Sequence, residues 1–149
     1  MSWLRAMTEA EPPEPENPLG IVVIGSLMPD LHEAAYQTVR KALKKAQFKT
    51  IDVGKGAPPE VFVSKAKQAN ADIVAISMNT LPAKANLPKV LELLEKEGLK
   101  GKVMLLIGGA AVSKVDADII GGFYGKSKEE GVVIARRQME AKKGSKQTR

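Results

Sequence analysis

The stretch VVIGSLMPDLHEAAYQTV, Val22 to Val39, changes from a strand pattern to a helix pattern across one short turn. Its apolar, β-branched beginning is typical of a strand that is buried on both faces. After Gly25 comes a polar turn that holds His32, the only histidine of the chain. Apolar residues then recur at helical spacing. This order of strand, turn and helix predicts the first half of a parallel βαβ unit.

The same alternation of strand and helix patterns continues along the chain. We predict strands over residues 19–25, 48–54, 72–77, 102–109 and 123–125. We predict helices over residues 32–47, 57–71, 84–99, 115–122 and 128–142. Strands that alternate with helices form a parallel sheet with helices on both faces. The sequence therefore predicts one α/β domain with a five-stranded, doubly wound sheet that is Rossmann-like or flavodoxin-like.

Composition limits what the chain can do. It has 149 residues, no cysteine and a net charge of +6. Without cysteine there are no disulfides, thiolate zinc sites, iron–sulfur clusters or thiol nucleophiles. No apolar run reaches the roughly 18–20 residues of a spanning helix, and the N-terminus lacks a signal pattern, so we expect a cytoplasmic protein that has no membrane partner. Aromatic residues make up only 4% of the chain, which disfavours a nucleic-acid partner that stacks on them.

The two ends of the chain differ in composition from its middle. Residues 1–18 are rich in Glu and Pro and lack apolar periodicity, so we predict a disordered or linker segment there. Residues 141–149 are predicted to form a basic C-terminal tail. The folded domain is then expected over residues 19–140.

Three loops that leave predicted strands carry small or polar residues: GSLMPDLHEAA, SMNTLPA and GGAAVS. Because ligands of open α/β sheets bind outside the carboxyl ends of the strands, we expect these loops to meet there. Neither glycine-rich nucleotide motif is present, and carboxylates in the first loop oppose a flavin phosphate. The third strand ends in Ser77, where a response regulator needs an aspartate, and no serine lies on a G-x-S-x-G elbow. These classes of site are therefore disfavoured.

Asp30 lies two residues before His32 in the first of these loops. A carboxylate that accepts a hydrogen bond from one imidazole nitrogen makes the other nitrogen a better metal ligand. One imidazole makes a poor zinc site, but it can supply the axial ligand of a macrocyclic cofactor that brings its own equatorial nitrogens. From this pattern alone, other interpretations stay open. In these interpretations, Asp30 would cap the next helix, Ser77 would be an ordinary loop hydroxyl, and the glycine pair at residues 108–109 would serve tight packing.

Together these motifs resemble those of a known family. The order D-x-H-x-x-G, then S-x-L, then G-G marks the cobalamin-binding domains of corrinoid methyltransferases and of carbon-skeleton mutases. The corresponding residues here are Asp30-Leu31-His32-Glu33-Ala34-Ala35, then Ser77-Met78-Asn79, then Gly108-Gly109-Ala110. The resemblance extends over residues 19–139. The stretch GKVMLLIGGAAVSKVDADIIGGFYG is more similar to methyl-carrier corrinoid proteins than to the mutases.

The resemblance implies a role for each motif in binding cobalamin. His32 would be the metal ligand, on the lower axial side of cobalt in place of the cofactor's own dimethylbenzimidazole, and Asp30 would be its hydrogen-bond partner. Ser77 would bond the buried nucleotide tail, while Gly108 and Gly109 would let the tail pass close to the backbone. No side chain is expected to be catalytic. The full set of expected cofactor-binding residues is Ser26, Asp30, Leu31, His32, Glu33, Ala35, Ser77, Asn79, Thr80, Gly108, Gly109, Ala110, Tyr124 and Gly125.

Two residues depart from the family pattern. Ala35 stands where the family has Gly, and its methyl group would narrow the channel for the nucleotide tail. Asn79 stands where the family has Leu, beside the expected corrin edge, where its amide would bond a corrin side chain or alter specificity. Methyl carriers of this type also have an N-terminal helical domain over the upper corrin face, whereas residues 1–18 show no helical pattern. We therefore expect that face to be open or covered by a partner.

The resemblance implies a component of a multi-protein system, not a stand-alone enzyme. The favoured hypothesis is a corrinoid protein that carries a methyl group on cobalt between partner methyltransferases, using methylcobalamin or a related corrinoid. A second hypothesis is the small subunit of a mutase that uses adenosylcobalamin and binds a large mutase subunit. A third is a non-catalytic cobalamin sensor or chaperone, and a fourth is a family member that no longer binds the cofactor.

Overall fold

A computed structural model describes residues 9–147 of the chain. Its strands are β1 (Ile21–Leu27), β2 (Lys49–Ala57), β3 (Ile73–Ser77), β4 (Met104–Gly108) and β5 (Phe123–Tyr124). Its helices are α1 (Glu33–Lys45), α2 (Pro59–Ala69), α3 (Leu81–Lys84), α4 (Leu87–Lys96), α5 (Lys114–Ile120) and α6 (Lys128–Gln147). Strands and helices alternate, as the sequence predicts.

The strands form one parallel sheet in the order β2-β1-β3-β4-β5. Val22 of β1, for example, lies opposite Thr50 of β2 on one side and Ile73 of β3 on the other. The order places β1 and β3, which are not consecutive in the chain, side by side at the centre. The predicted doubly wound α/β fold with five parallel strands is thus confirmed.

Successive strand residues point to opposite faces of the sheet, so each face has its own core. On one face, Val23, Val74 and Leu105 belong to a cluster that includes residues of α2, α4 and α5. We call this the filled face. On the other face, Ile24 and Leu106 belong to a cluster that includes residues of α1 and α6. We call this the open face, because the cleft described below lies on it.

The main differences from the predicted elements lie at three boundaries. Strand β2 continues past Gly54 to residue 57, because Gly54 and Gly56 adopt positive φ angles of 94° and 63° that keep the backbone paired with β1. Helix α3 forms a separate turn at the beginning of the helix that was predicted over residues 84–99, and the Thr80 side chain caps it. Helix α6 extends beyond residue 142 and includes most of the residues predicted as a basic tail.

Residues 9–18 form no helix or strand. They lie along α1, where Glu11 bonds to Arg40 and Lys44. Residues 1–8 and 148–149 of the two predicted tails lie outside the described residues, and the domain limits at residues 19 and 140 stay a prediction. No helix within residues 9–147 has the length and apolar character needed to cross a membrane.

Candidate cofactor-binding site

A cleft of about 860 Å³ opens at the carboxyl edge of the sheet. Helix α1 lies on one side of it, the turn into α6 on the other, and the ends of β3 and β4 between them. Its volume is within the roughly 300–1,000 Å³ of small-molecule and cofactor sites. The predicted residues that line it are His32, Glu33, Ala35, Ser77, Asn79, Gly108, Gly109, Ala110, Tyr124 and Gly125.

Asp30 is a buried carboxylate that joins two loops beside this cleft. Its Oδ1 accepts the backbone N–H of His32 at 2.9 Å, and its Oδ2 accepts the backbone N–H of Asn79 at 2.7 Å. The side-chain nitrogens of the same two residues contact the carboxylate at 2.6 Å and 3.0 Å. Burial opposes ionisation, but these hydrogen bonds outweigh it and lower the pKa of Asp30 below its usual value. Asp30 is therefore a charged acceptor with four donors.

His32 presents its imidazole at the mouth of the cleft, where 67% of the side chain is exposed. The Asp30 carboxylate only accepts hydrogen bonds, so the 2.6 Å contact to Nδ1 assigns the proton of the neutral ring to that nitrogen. The lone pair of Nε2 is then available to a ligand or a metal. The hydrogen bond expected between the two side chains is thus present.

The structure rules out the simpler role that the sequence left open for Asp30. Helix α1 begins after His32, whose own side chain makes no capping hydrogen bond. The carboxylate of Asp30 accepts from His32 and Asn79, neither of which lies inside α1. Asp30 therefore holds the imidazole and the neighbouring loop and does not cap the helix.

Asn79 connects all three loops at the edge of the sheet. Its Nδ2 donates to Asp30 Oδ2 at 3.0 Å and to Ser77 Oγ at 3.2 Å. Its Oδ1 accepts the backbone N–H of Ala110 at 3.1 Å. Both ends of the amide are engaged within the protein, so the departure from leucine has a structural consequence that the sequence did not indicate. The amide fixes the loops that surround the cleft.

The two glycines at the end of β4, Gly108 and Gly109, both lie close to neighbouring backbone. Gly109 has a φ angle of 111°, and a Cβ atom there would lie 2.3 Å from the carbonyl oxygen of Met78. A Cβ atom at Gly108 would lie 3.1 Å from the carbonyl oxygen of Gly125. Tight backbone packing, which the sequence left open, is thus shown at both positions. Both glycines also line the cleft, next to the nearly buried hydroxyl of Ser77.

Four of the predicted site residues do not line the cleft but support or flank it. The buried Ser26 hydroxyl donates to the carbonyl oxygen of Asp30 at 2.7 Å and accepts the N–H of Gly56 at 3.0 Å. Thr80 Oγ1 accepts from Ala83 N at 3.3 Å and caps α3. Leu31 is two-thirds exposed beside the imidazole loop. Asp30 is the fourth of these residues, and its carboxylate holds the His32 imidazole, as described above.

The cleft is also lined by residues that were not among the predicted site residues. They are mostly apolar or small: Ile24, Ala34, Tyr36, Thr38, Val39, Ala75, Ile76, Leu106, Ile107 and Gly131. Lys126, Ser127 and Lys128 line the α6 side of the mouth. Two features of the sequence indicate this space in retrospect. Ala35 and Val39 are four residues apart and share a face of α1, and a glycine interrupts the helical pattern of α6.

The donor set fits a metal that arrives with most of its ligands in place. Among the described residues, no group of three His, Cys, Asp or Glu side chains could hold a bare metal ion. His32 is a single imidazole with an oriented lone pair, and it stands beside a cleft large enough for a bulky organic group. These features suit a macrocyclic metal cofactor better than an isolated ion.

Comparison with known proteins gives one family. The family model described as B12 binding domain matches residues 20–132. The chain is 36% identical over 122 residues to dimethylamine corrinoid protein 3 of Methanosarcina mazei, covering 79% of this chain and 71% of that protein. It is 35% identical over 119 residues to the dimethylamine corrinoid protein of Methanosarcina barkeri, covering 79% of this chain and 56% of that protein. The match thus involves only part of each relative.

Solved structures share the fold. A cobalamin-binding protein from Desulfitobacterium hafniense DCB-2 superposes with a TM-score of 0.76 at 25% identity, covering 80% of this chain and 58% of that one. The methanol:cobalamin methyltransferase complex MtaBC from Methanosarcina barkeri contains a chain that superposes with a TM-score of 0.78 at 19% identity. That superposition covers 91% of this chain and 51% of the other.

Proposed function

This chain belongs to the B12 binding domain family, and on that premise we propose that it is a corrinoid protein that carries a methyl group between partner methyltransferases. Cobalamin, or a related corrinoid, would occupy the cleft beside His32. When bound, the cofactor supplies the cobalt on which the methyl group is carried. The observation that supports this most directly is the Asp30–His32 pair at the mouth of the cleft.

The pair determines which imidazole nitrogen is available. Asp30 holds a proton on Nδ1, so Nε2 would be the nitrogen that holds the cobalt of the cofactor. The carboxylate makes this nitrogen a better metal ligand, because the hydrogen bond to Nδ1 fixes the tautomer and the orientation of the ring. Asn79 and the backbone N–H groups keep the carboxylate in position, so the geometry exists before the cofactor binds.

The cleft would hold the nucleotide tail of the cofactor. Its inner wall is apolar, as a heterocyclic base requires, and Ser77 places a hydroxyl on its lining. Ala35 contributes a methyl group to this lining, yet the cleft stays open past it. The added methyl at Ala35 therefore does not close the space in which a tail would lie.

The methyl donor and the partner belong to the same proposal. Similarity to proteins named dimethylamine corrinoid proteins favours a methyl carrier over an adenosylcobalamin mutase subunit. A methylated amine is for this reason the first donor to test, together with a methyltransferase that acts on it. A cytoplasmic location stays a prediction.

The first experiment is a titration of the purified protein with hydroxocobalamin, followed by EPR of the cobalt(II) form made with nitrogen-15 histidine. Because His32 is the only histidine, the label enters a single side chain. We expect splitting from one labelled axial nitrogen, and we expect His32→Ala to lose this splitting while keeping the fold. Unlabelled protein is the control. A spectrum in which the cofactor's own base remains on cobalt would contradict ligation by His32.

A second experiment tests methyl transfer separately from binding. The loaded protein is incubated with a partner methyltransferase and dimethylamine, and the methylated cofactor is followed by its absorption spectrum. We expect methylation that depends on the partner and the donor. If the protein binds cobalamin through His32 but accepts no methyl group with any methyltransferase tested, the carrier function is excluded, while the assignment of the cofactor site remains.

A further inference from the structure

Gly131 is a buried glycine in the first turns of α6 that the fold does not require. Its backbone N–H donates to the carbonyl oxygen of Ser127 at 2.9 Å, which is a regular helical hydrogen bond. Its φ angle is not positive, so an L-residue would adopt the same conformation. A glycine inside a helix reduces helix stability relative to alanine. Its presence here therefore lacks a backbone explanation.

The space beside Gly131 does not exclude a side chain either. A Cβ atom there would come no closer than 3.7 Å to Val39 Cγ1 of α1 and 4.0 Å to Leu106 Cδ2 of β4. Both distances are ordinary van der Waals contacts. By contrast, a Cβ atom at Gly25 would lie 2.6 Å from the carbonyl oxygen of Gly54, so glycine is required there by the fold.

Gly131 borders the cleft at the point where α1, α6 and the sheet come together. Val39 and Leu106, its neighbours, both line the cleft. Gly125, also without a side chain, lies so close that an added Cβ atom would be 3.6 Å from the Gly131 Cα atom. The missing methyl group therefore adds free volume to the inner part of the cleft.

We propose that Gly131 determines how deeply a bulky group can enter between α1 and α6, and so determines the affinity for corrinoids with a complete nucleotide tail. This inference rests on the proposed function. Ala35 and Val39 occupy one face of α1 and line the same cleft. Ala35 thus adds a methyl group to the α1 wall of the cleft, whereas Gly131 leaves the α6 wall without one.

The test compares Gly131→Ala with Gly144→Ala, a matched change in the same helix. An added Cβ atom at Gly144 meets no atom within 4 Å, and Gly144 does not line the cleft. Both variants are expected to unfold at the same or a higher temperature than the parent protein, since alanine favours the helix. Binding of cobalamin and of cobinamide, which lacks the nucleotide tail, is then measured for all three proteins.

We expect Gly131→Ala to bind cobalamin about tenfold or more weakly, the effect of one misplaced methylene in an apolar pocket, with cobinamide binding unchanged. Gly144→Ala should match the parent protein for both corrinoids. Unchanged cobalamin binding by Gly131→Ala, or an equal loss for both corrinoids, would overturn the role of Gly131. If the parent protein binds neither corrinoid, the proposed function itself fails, and the inference fails with it.

Discussion

The two faces of the sheet are built on opposite principles. The filled face packs large apolar side chains such as Phe62, Val90 and Leu94 against the strands along their length. The open face packs Leu43 and Phe48 near one end of the strands, but small residues and the cleft replace such packing near the other end. The same strands supply both faces, so the difference lies in the helices.

The comparison shows how position is maintained where packing is reduced. On the filled face, dispersion contacts and burial hold α2 and α4 in place. At the carboxyl end of the open face, hydrogen bonds take over this role, with Asp30 and Asn79 as their centre. A space for a ligand thus exists without loss of order, because a polar network fixes its rim.

The largest expected effect comes from a matched pair of changes in β4. Leu105 faces the filled side and Leu106 faces the open side, and both are nearly buried. We expect Leu105→Ala to lower the free energy of unfolding by about 2–5 kcal/mol, because it leaves a closed cavity. Leu106→Ala should cost less, since its side chain already borders the cleft and the vacated space joins it. Urea unfolding of both variants measures the difference.

Equal losses for the two leucines would mean that the open face is packed as tightly as the filled one. The comparison between the two faces would then fail, and the cleft would not explain why the open face has smaller side chains near the carboxyl ends of the strands. A larger loss for Leu106→Ala would contradict it more strongly.

The next effect tests the polar network instead of packing. Asp30→Asn keeps the size of the side chain but replaces one acceptor oxygen with an amide nitrogen that only donates. The N–H groups of His32 or Asn79 are then left without an acceptor. An unsatisfied buried donor costs about 1–3 kcal/mol, so we expect a loss of that order in urea unfolding. His32→Ala is the control, because Asp30 retains three other donors and the imidazole is exposed. It should stay within about 0.5 kcal/mol of the parent protein.

A loss for His32→Ala as large as that for Asp30→Asn would show that the imidazole, and not the buried carboxylate, holds the loops. That result would contradict the assignment of Asp30 as the centre of the network.

Strand and helix periodicity predicts the sheet because β1, β3 and β4 are mostly apolar along their length and the helices repeat at 3.6 residues. The D-x-H pattern likewise predicts the Asp30–His32 contact, since both residues lie in one short turn. Periodicity does not reveal the contacts of Asn79 with Ala110, nor the cleft wall formed by Val39 and Gly131. Those contacts depend on how distant segments meet in space, which is determined by tertiary packing.

The smallest expected effect concerns the outer side of α1, the helix that walls the cleft. Arg40 and Lys44 of α1 bond to Glu11, and these contacts add support from the outer side of the helix. Hydrogen bonding from Arg40, followed by that from Lys44, overcomes the effect of burial and lowers the pKa of Glu11 to about 2. Because the pKa is lower in the folded state, this stabilisation is present above pH 4.5 and is lost as the pH falls toward 2.

We therefore expect Glu11→Gln to lower the free energy of unfolding by less than about 1 kcal/mol at pH 7, because Glu11 is half exposed and its ion pairs are screened by solvent and salt. The difference from the parent protein should shrink in high salt and below pH 4.5. Glu16→Gln removes the same charge from the same segment, and Glu16 takes part in no ion pair within residues 9–147, so it should have no effect. If the two variants behave alike, the segment is held to α1 by its overall charge. Corrinoid binding is measured for both variants. If Glu11→Gln weakens it and Glu16→Gln does not, then the ion pairs on the outer side of α1 contribute to the shape of the cleft on its inner side.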